Sequence, residues 1–174
     1  TSNGKDFLYA LGAIKNVGHD AITNVVKERE KNGKFKTLND FTNRVKPKDI
    51  NKLQLEGLVM AGAFDNLNNN RQSLFNSIPN IILKSKNYFE NNLINQIDLF
   101  QEEKEIDDTY LEKIDDWNSD TKLSKEFETL GFFISDHPLN QYKTIFNQYN
   151  IINYENFEFN KDILSSNIAC TVLK

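Results

Sequence analysis

The sequence predicts a mainly α fold, and three observations predict it. Leu11 and Ile14, a tight Asn16-Val17-Gly18 and the apolar face Ala21, Ile22, Val25 and Val26 describe two helical pieces joined by a hairpin. Ala61 to Leu67 offers a second, weaker version of that arrangement between segments whose apolar residues keep helical spacing. After Asn150 the pattern turns short and β-like: Ile151-Ile152, Tyr154, Phe157 and Phe159, then Ile168 to Leu173.

The chemistry of a helix-hairpin-helix lies in its backbone. Asn16 and Gly18 tolerate the left-handed or otherwise tight conformations such a turn needs, and the helix that follows aims its unpaired first-turn N–H groups outward. A helix end of this kind binds anions, DNA phosphate among them. Lys15, Asn16, Val17, Gly18 and His19 are therefore candidate DNA-contacting residues, joined by Gly62 and Ala63 of the second hairpin. The competing reading of Lys15 and Gly18 is an ordinary tight turn with a solvated lysine.

The first full helix should begin near His19 or Asp20 and end at Lys31-Asn32, with Gly33 as its left-handed stop. Thr37 followed three residues later by Asp40 opens a short helix with Phe41 and Val45 inward, halted by Lys46-Pro47. From about Asn51 to Ala61 a helix buries Leu53, Leu55 or Leu58, and Val59, despite the cost of Gly57 in its interior. Asn70 caps a helix carrying Leu74, Phe75 and Ile78, which Pro79 kinks or restarts before Ile81-Ile82-Leu83 and Tyr88-Phe89. Two hairpin units in tandem would share a core and offer two phosphate grips on one side. Periodicity fades at Asn91 to Gln96, and the acidic stretch Gln101 to Asp120 reads as a flexible linker onto which Tyr110, Ile114 and Trp117 can pack back. A helix restarts at Ser119 with Leu123, Phe127, Leu130 and Ile134, and Pro138 opens a further helical segment.

Composition narrows the class. The 174 residues are 39% hydrophobic with a net charge of -4 and a mean hydropathy of -0.59, and no apolar run approaches bilayer length. Thr1 to Asp6 has no signal-peptide character, and the single Cys170 permits no internal disulfide, so a reducing, cytoplasmic setting is expected. The lack of an initiator Met and the strand-like ending suggest a piece of something longer. Charge is uneven: residues 1–60 carry 11 Lys/Arg against 7 Asp/Glu, whereas residues 97–136 carry 4 against 13. The front half suits a polyanion and the acidic middle does not, which excludes a globally basic nucleic-acid binder but not one that grips phosphate locally.

Catalytic apparatus is missing. There is no G-x-x-x-x-G-K loop, paired Cys, H-E-x-x-H or G-x-S-x-G. Asp107, Asp108, Asp115 and Asp116 are numerous enough to suggest a metal site, but nucleotidyl transfer needs carboxylates fixed on rigid elements, and these fall in the stretch read as solvated linker. His19 and His137 lack a Ser or Cys partner; the first reads as a hairpin-surface residue near phosphate, the second as a turn residue before Pro138.

Four stretches together are similar to the bacterial DNA polymerase III alpha subunits, the C-family replicative polymerases. They are Tyr9 to Gly18, Phe35 to Phe41, Leu58 to Asp65, and Leu130-Gly131-Phe132-Phe133-Ile134-Ser135-Asp136-His137-Pro138-Leu139, the last resembling that family's L-G-F-Y-x-S-x-H-P-L signature. They occur in the family's order and extend over nearly the whole chain. Asn16 and Asp136 stand where the family usually has Gly; Asn is tolerated in a left-handed turn. The resemblance implies a tandem helix-hairpin-helix DNA-binding domain over residues 1–90, a clamp-binding segment and acidic linker over 91–118, connecting helices over 119–149 and the beginning of an OB-type domain over 150–174. It places the polymerase's catalytic aspartates upstream. This fragment should then be inactive alone and hold no cofactor, magnesium being expected for the parent, while other replicase subunits would be met through the parent.

The resemblance also points to Gln96-Ile97-Asp98-Leu99-Phe100, similar to the Q-L-S/D-L-F peptide by which bacterial polymerases hold the sliding clamp. An amide followed by a spacer and two adjacent large apolar residues, set beside an acidic run, suits a pocket on another protein. On periodicity alone, Ile94, Ile97 and Leu99 or Phe100 read better as a core stripe; position within the family match reverses that order. Duplex DNA, contacted at its backbone, and the clamp are thus the expected partners, with no membrane. Two other readings stay open, a free-standing helix-hairpin-helix module of a repair or recombination protein and an interaction scaffold whose hairpins only pack on each other.

Overall fold

A computed structural model describes residues 9–93, 111–159 and 165–172. The chain divides into two compact units, Thr1–Phe132 and Phe133–Lys174. The first opens with a 3-10 turn at Leu11–Ala13 and continues with α1 (His19–Asn32), α2 (Leu38–Arg44), α3 (Lys52–Met60), α4 (Arg71–Asn76), α5 (Ile78–Leu93) and α6 (Ser119–Leu130). Local signals set most of these limits. Gly33 closes α1 at φ 82°, the Thr37 side chain accepts from the Asp40 amide to start α2, and Asn51 and Gln54 form a reciprocal capping box on α3. Asn70 caps α4, and Pro79 falls in the first turn of α5, where its missing N–H costs nothing, so the chain restarts there.

These helices enclose one core. Phe41 lies at its centre, edge-on to Phe35 at 5.2 Å and to Phe64 at 5.0 Å, with Leu55, Leu58, Val59, Leu74, Ile78 and Ile81 around it. In α3 it is Leu55, Leu58 and Val59 that turn inward; Leu53 is 53% exposed, because the 3.6-residue period carries it to the far side. α6 packs on α3 and buries Leu123, Glu126 and Thr129. Gly131, at φ 81°, ends it, so Ile134 falls beyond the helix and is 54% exposed rather than the last member of its stripe.

Residues 111–118, expected within a flexible acidic linker, are an extended strap fastened to α4 and to the turn after it. The Glu112 amide donates to Ser77 Oγ at 2.8 Å, Ser73 Oγ donates to the Glu112 carbonyl, and Asn70 Nδ2 donates to the Ile114 carbonyl at 2.6 Å. Trp117 packs on Phe75 with centroids 5.5 Å apart, and Lys125 lies 4.7 Å from the Trp117 ring centroid. One acidic group of the strap, Asp116, is engaged within the fold. Burial pushes the Asp116 carboxyl up, but hydrogen bonds from Lys122 and from the Gln72 and Trp117 amides outweigh it and hold the group below the usual range.

The second unit runs from a 3-10 turn at Pro138–Tyr142 into α7 (Lys143–Gln148) and α8 (Tyr154–Phe159). His137 is a turn residue, as its place before Pro138 suggests: its Nδ1 accepts from the Leu139 amide at 3.2 Å. Asn150 at φ 51° ends α7. The β-like reading of 154–159 is overturned: Asn153 accepts from the Asn156 amide and starts a helix in which Tyr154 and Phe157 sit one turn apart. Residues 165–172 carry no helix or strand. No helix among the described residues is long and apolar enough to cross a membrane.

A buried ion-pair network of the first unit centres on Arg71, 4% exposed. Its guanidinium donates to both carboxylate oxygens of Asp65, at 2.8 and 2.6 Å, and to Glu126 Oε1 at 2.8 Å. Burial would depress the guanidinium's pKa, but hydrogen bonding to the two carboxylates more than reverses this and the group stays charged. Glu126 is 0% exposed, so losing its cation should be expensive. Arg71→Met should cost about 3–5 kcal/mol in urea denaturation, and adding Glu126→Leu should recover a large part of it by removing the buried charge altogether.

Candidate nucleic-acid interface

The first hairpin is built by two buried side chains and one left-handed residue. Ile14 and Val17 are each 3% exposed and anchor the turn in the core, while Asn16 between them takes φ 67° and reverses the chain. The Val17 amide donates to the Ile14 carbonyl at 3.0 Å, and the Lys15 amide to the Thr129 carbonyl of α6 at 3.0 Å. Val17 therefore serves the hairpin from inside, and neither its side chain nor these two amides faces outward.

What faces outward is the start of α1. Gly18 is its N-cap at φ -66°, ψ 148°, a conformation any residue adopts, so glycine is not needed here for its backbone. The consequence of glycine is chemical: no side chain caps α1, whereas Thr37, Asn51, Asn70 and Asn118 cap α2, α3, α4 and α6. The first-turn amides of a 14-residue helix are left open, with Lys15, Asn16 and His19 exposed beside them. Lys15 Nζ is 3.9 Å from Glu128 Oε1, both side chains 58% exposed, a pairing weak enough to yield to a phosphate.

The second hairpin repeats the topology and closes the site. The Gly62 amide donates to the Val59 carbonyl and the Ala63 amide to the Leu58 carbonyl, the paired bonds of a Schellman cap on α3, with Gly62 at φ 75°. These amides, expected to meet a phosphate, are spent on the helix they terminate. At the start of α4 the Ser73 amide is taken by Asn70 and the Gln72 amide by Asp116 Oδ1 at 3.0 Å. A carboxylate of the strap thus sits where a phosphate would, and the expected pair of grips is a single open one.

Gly57 had no role in the sequence beyond weakening α3. A Cβ there would lie 2.8 Å from the Lys15 carbonyl oxygen and 3.1 Å from Val17 Cγ2, so the first hairpin rests directly on the α3 backbone at this point. No group of three or more His, Cys, Asp or Glu among the described residues is placed to hold a metal ion. Gln96, Ile97, Asp98, Leu99 and Phe100 lie outside the described residues.

A tight hairpin between helices, its second helix open at the N-terminus, defines a helix-hairpin-helix protein, and the family model for the helix-hairpin-helix motif matches residues 1–74. The DNA polymerase III subunit alpha of Rickettsia prowazekii (strain Madrid E) is 41% identical over 146 residues, 84% of this chain and 12% of that protein. The same subunit of Campylobacter jejuni (strain ATCC 700819) is 35% identical over 173 residues, covering 94% of this chain and 14% of its own length. That of Escherichia coli (strain K12) is 35% identical over 141 residues, 79% and 12%. The chain belongs to the family of bacterial DNA polymerase III alpha subunits, and it spans only 12–14% of the length of these relatives.

The close approach at Gly57 gives a direct check of the hairpin's support. Gly57→Ala would gain about 1 kcal/mol of helix propensity but must push the Lys15 carbonyl away. A net loss of about 1–3 kcal/mol is expected in a thermal or urea melt. A stabilised variant would mean the hairpin does not rest there.

Proposed function

We propose that this segment holds duplex DNA by its sugar-phosphate backbone, within a DNA-directed DNA polymerase whose catalytic aspartates and magnesium lie outside it. The single observation that carries the reading is the uncapped N-terminus of α1 at Gly18, set in a matched helix-hairpin-helix region and flanked by exposed Lys15 and His19. Contacts of this kind carry no base information, so binding is sequence-independent and salt-sensitive. Asn16, Gly18 and His19 supply the turn and the open amides, and Val17 positions them from the core. In the same reading, Gln96 to Phe100 tethers the polymerase to the bacterial sliding clamp, residues 150–174 begin an OB-type domain, other replicase subunits are met through the parent, and the setting is the cytoplasm. Support for these comes from the family membership.

Gly18→Asp separates phosphate binding from helix stability. The nearest atom to a Cβ at Gly18 is Gln54 Nε2 at 3.9 Å, so the side chain fits. It would cap α1 and stabilise the chain by up to about 1 kcal/mol, while occupying the phosphate's place. Fluorescence anisotropy on a labelled duplex should show weaker binding, with the log–log salt slope reduced by about one. Undiminished affinity in a stabilised variant would remove the phosphate grip.

For the clamp, Leu99→Ala and Phe100→Ala should each cost about 2 kcal/mol or more of binding in a titration against a bacterial sliding clamp, as anchor residues do. The melting temperature should stay unchanged. A destabilised double variant would instead return these residues to the core.

A further inference from the structure

A second basic feature lies beyond the hairpin on the same helix. Asn24, Lys27, Glu28 and Lys31 recur at helical spacing along one face of α1, opposite the turn that carries Lys46 and Lys48, and the two walls enclose a groove of about 310 Å³. Both walls are held in place. Arg44 donates to Glu28 Oε1 and Asp40 Oδ2, each at 3.0 Å, and to the Glu28 and Gly33 carbonyls. Burial would lower the Arg44 guanidinium's pKa, but bonding to Glu28 and Asp40 raises it overall. The turn is pinned by buried Val45 and Ile50, by Pro47, and by Asn24 Nδ2 donating to Asp49 Oδ1 at 2.9 Å.

The electrostatic outcome is one-sided. Glu28 is paired with Arg44, while Asp49 accepts from Asn24 and keeps its charge, so the lysines and Arg44 outnumber the two carboxylates of the groove. Lys27, Lys31, Lys46 and Lys48 are exposed and make no ion pair among the described residues. Like charges gathered on facing concave walls raise the local potential and attract a polyanion. The groove is not a small-molecule pocket, since its walls are long, mobile lysine side chains rather than a fixed apolar lining.

We propose that this groove is a second backbone-contact site for the same DNA, with Lys27 and Lys31 on one wall and Lys46 and Lys48 on the other. The proposal rests on the hairpin reading. At 1.5 Å per residue, Lys27 and Lys31 lie about 12 and 18 Å along α1 from its open end, a separation well within the length of a 20-base-pair duplex, about 68 Å at 3.4 Å of rise per step. One duplex can reach both.

The test is anisotropy of a 20-base-pair duplex against the 174-residue chain at several salt concentrations, with the quadruple variant Lys27→Ala, Lys31→Ala, Lys46→Ala, Lys48→Ala. Its fold should be intact, which a thermal melt checks. The expected result is a salt slope smaller by about two or more and a loss of at least tenfold in affinity at low salt, with the four Lys→Arg replacements retaining both. An unchanged slope in a folded quadruple variant overturns the groove. If Gly18→Asp still weakens binding in that case, the hairpin reading survives alone. If inorganic tripolyphosphate competes with DNA only in the quadruple variant, or the Arg version binds no better than the Ala version, the groove is likewise overturned.

Discussion

Arg71 is the contact on which the two hairpins depend. It spans Asp65 of the second hairpin and Glu126 of α6, and it fills the space beside Gly62 so closely that a Cβ there would lie 2.3 Å from its Nη2. One turn further along α6, the Thr129 carbonyl accepts from the Lys15 amide of the first hairpin. Glu126 and Thr129 are three residues apart on one buried face, so a single helix braces both turns, one through an ion pair and the other through a backbone bond. α6 lies outside the matched motif region. Residues that read as connecting helix are thus part of what fixes the geometry of the hairpins.

The same topology yields one open turn and one closed turn because of what stands at the N-cap. Asn70 satisfies an amide of α4, and Asp116, drawn in by the strap, satisfies the next. A carboxylate and a phosphodiester compete for the same donors, and the tethered one wins without paying the entropy of association. Gly18 offers α1 no such acceptor. An open helix end facing solvent costs little while water is there, so the fold leaves this one unsatisfied where a buried helix end could not be.

How much of this was legible in the sequence follows from the range of the contacts. Thr37, Asn70, Gly33 and Pro79 act within three or four residues, and the helix limits they imply are found. Asn16 at φ 67° is the left-handed turn residue its type suggests. The strap was hidden because its anchors, Ser73, Ser77 and Asn70, bind backbone atoms 35 to 44 residues away, while its acidic composition imitates a solvated linker. Gly57 read only as a cost, since what needs its missing side chain is a carbonyl 42 positions back. The one available sign of Arg71 and Glu126 was a glutamate on the Leu123 side of α6, and nothing local named its partner. The helical stretch Tyr154–Phe159 has a β-like pattern because aromatic residues fit a strand face as readily as a helix face.

The charge of the chain shows why a net value misleads about ligands. At -4 it should repel a polyanion, but charges already engaged within the fold contribute little to the field outside. Glu28 and Asp40 share Arg44, Asp65 and Glu126 share Arg71, and Asp116 pairs with Lys122, so the three cations offset part of the charge of five carboxylates. These contacts engage five carboxylates with Arg44, Arg71 and Lys122, leaving the exposed lysines of α1 and of the Lys46–Lys48 turn as the outward positive field on that side. A phosphate within a Debye length of that side, about 10 Å at 0.1 M salt, is acted on chiefly by those lysines and the open end of α1. Local arrangement, set by which carboxylates the fold consumes, decides what the surface attracts.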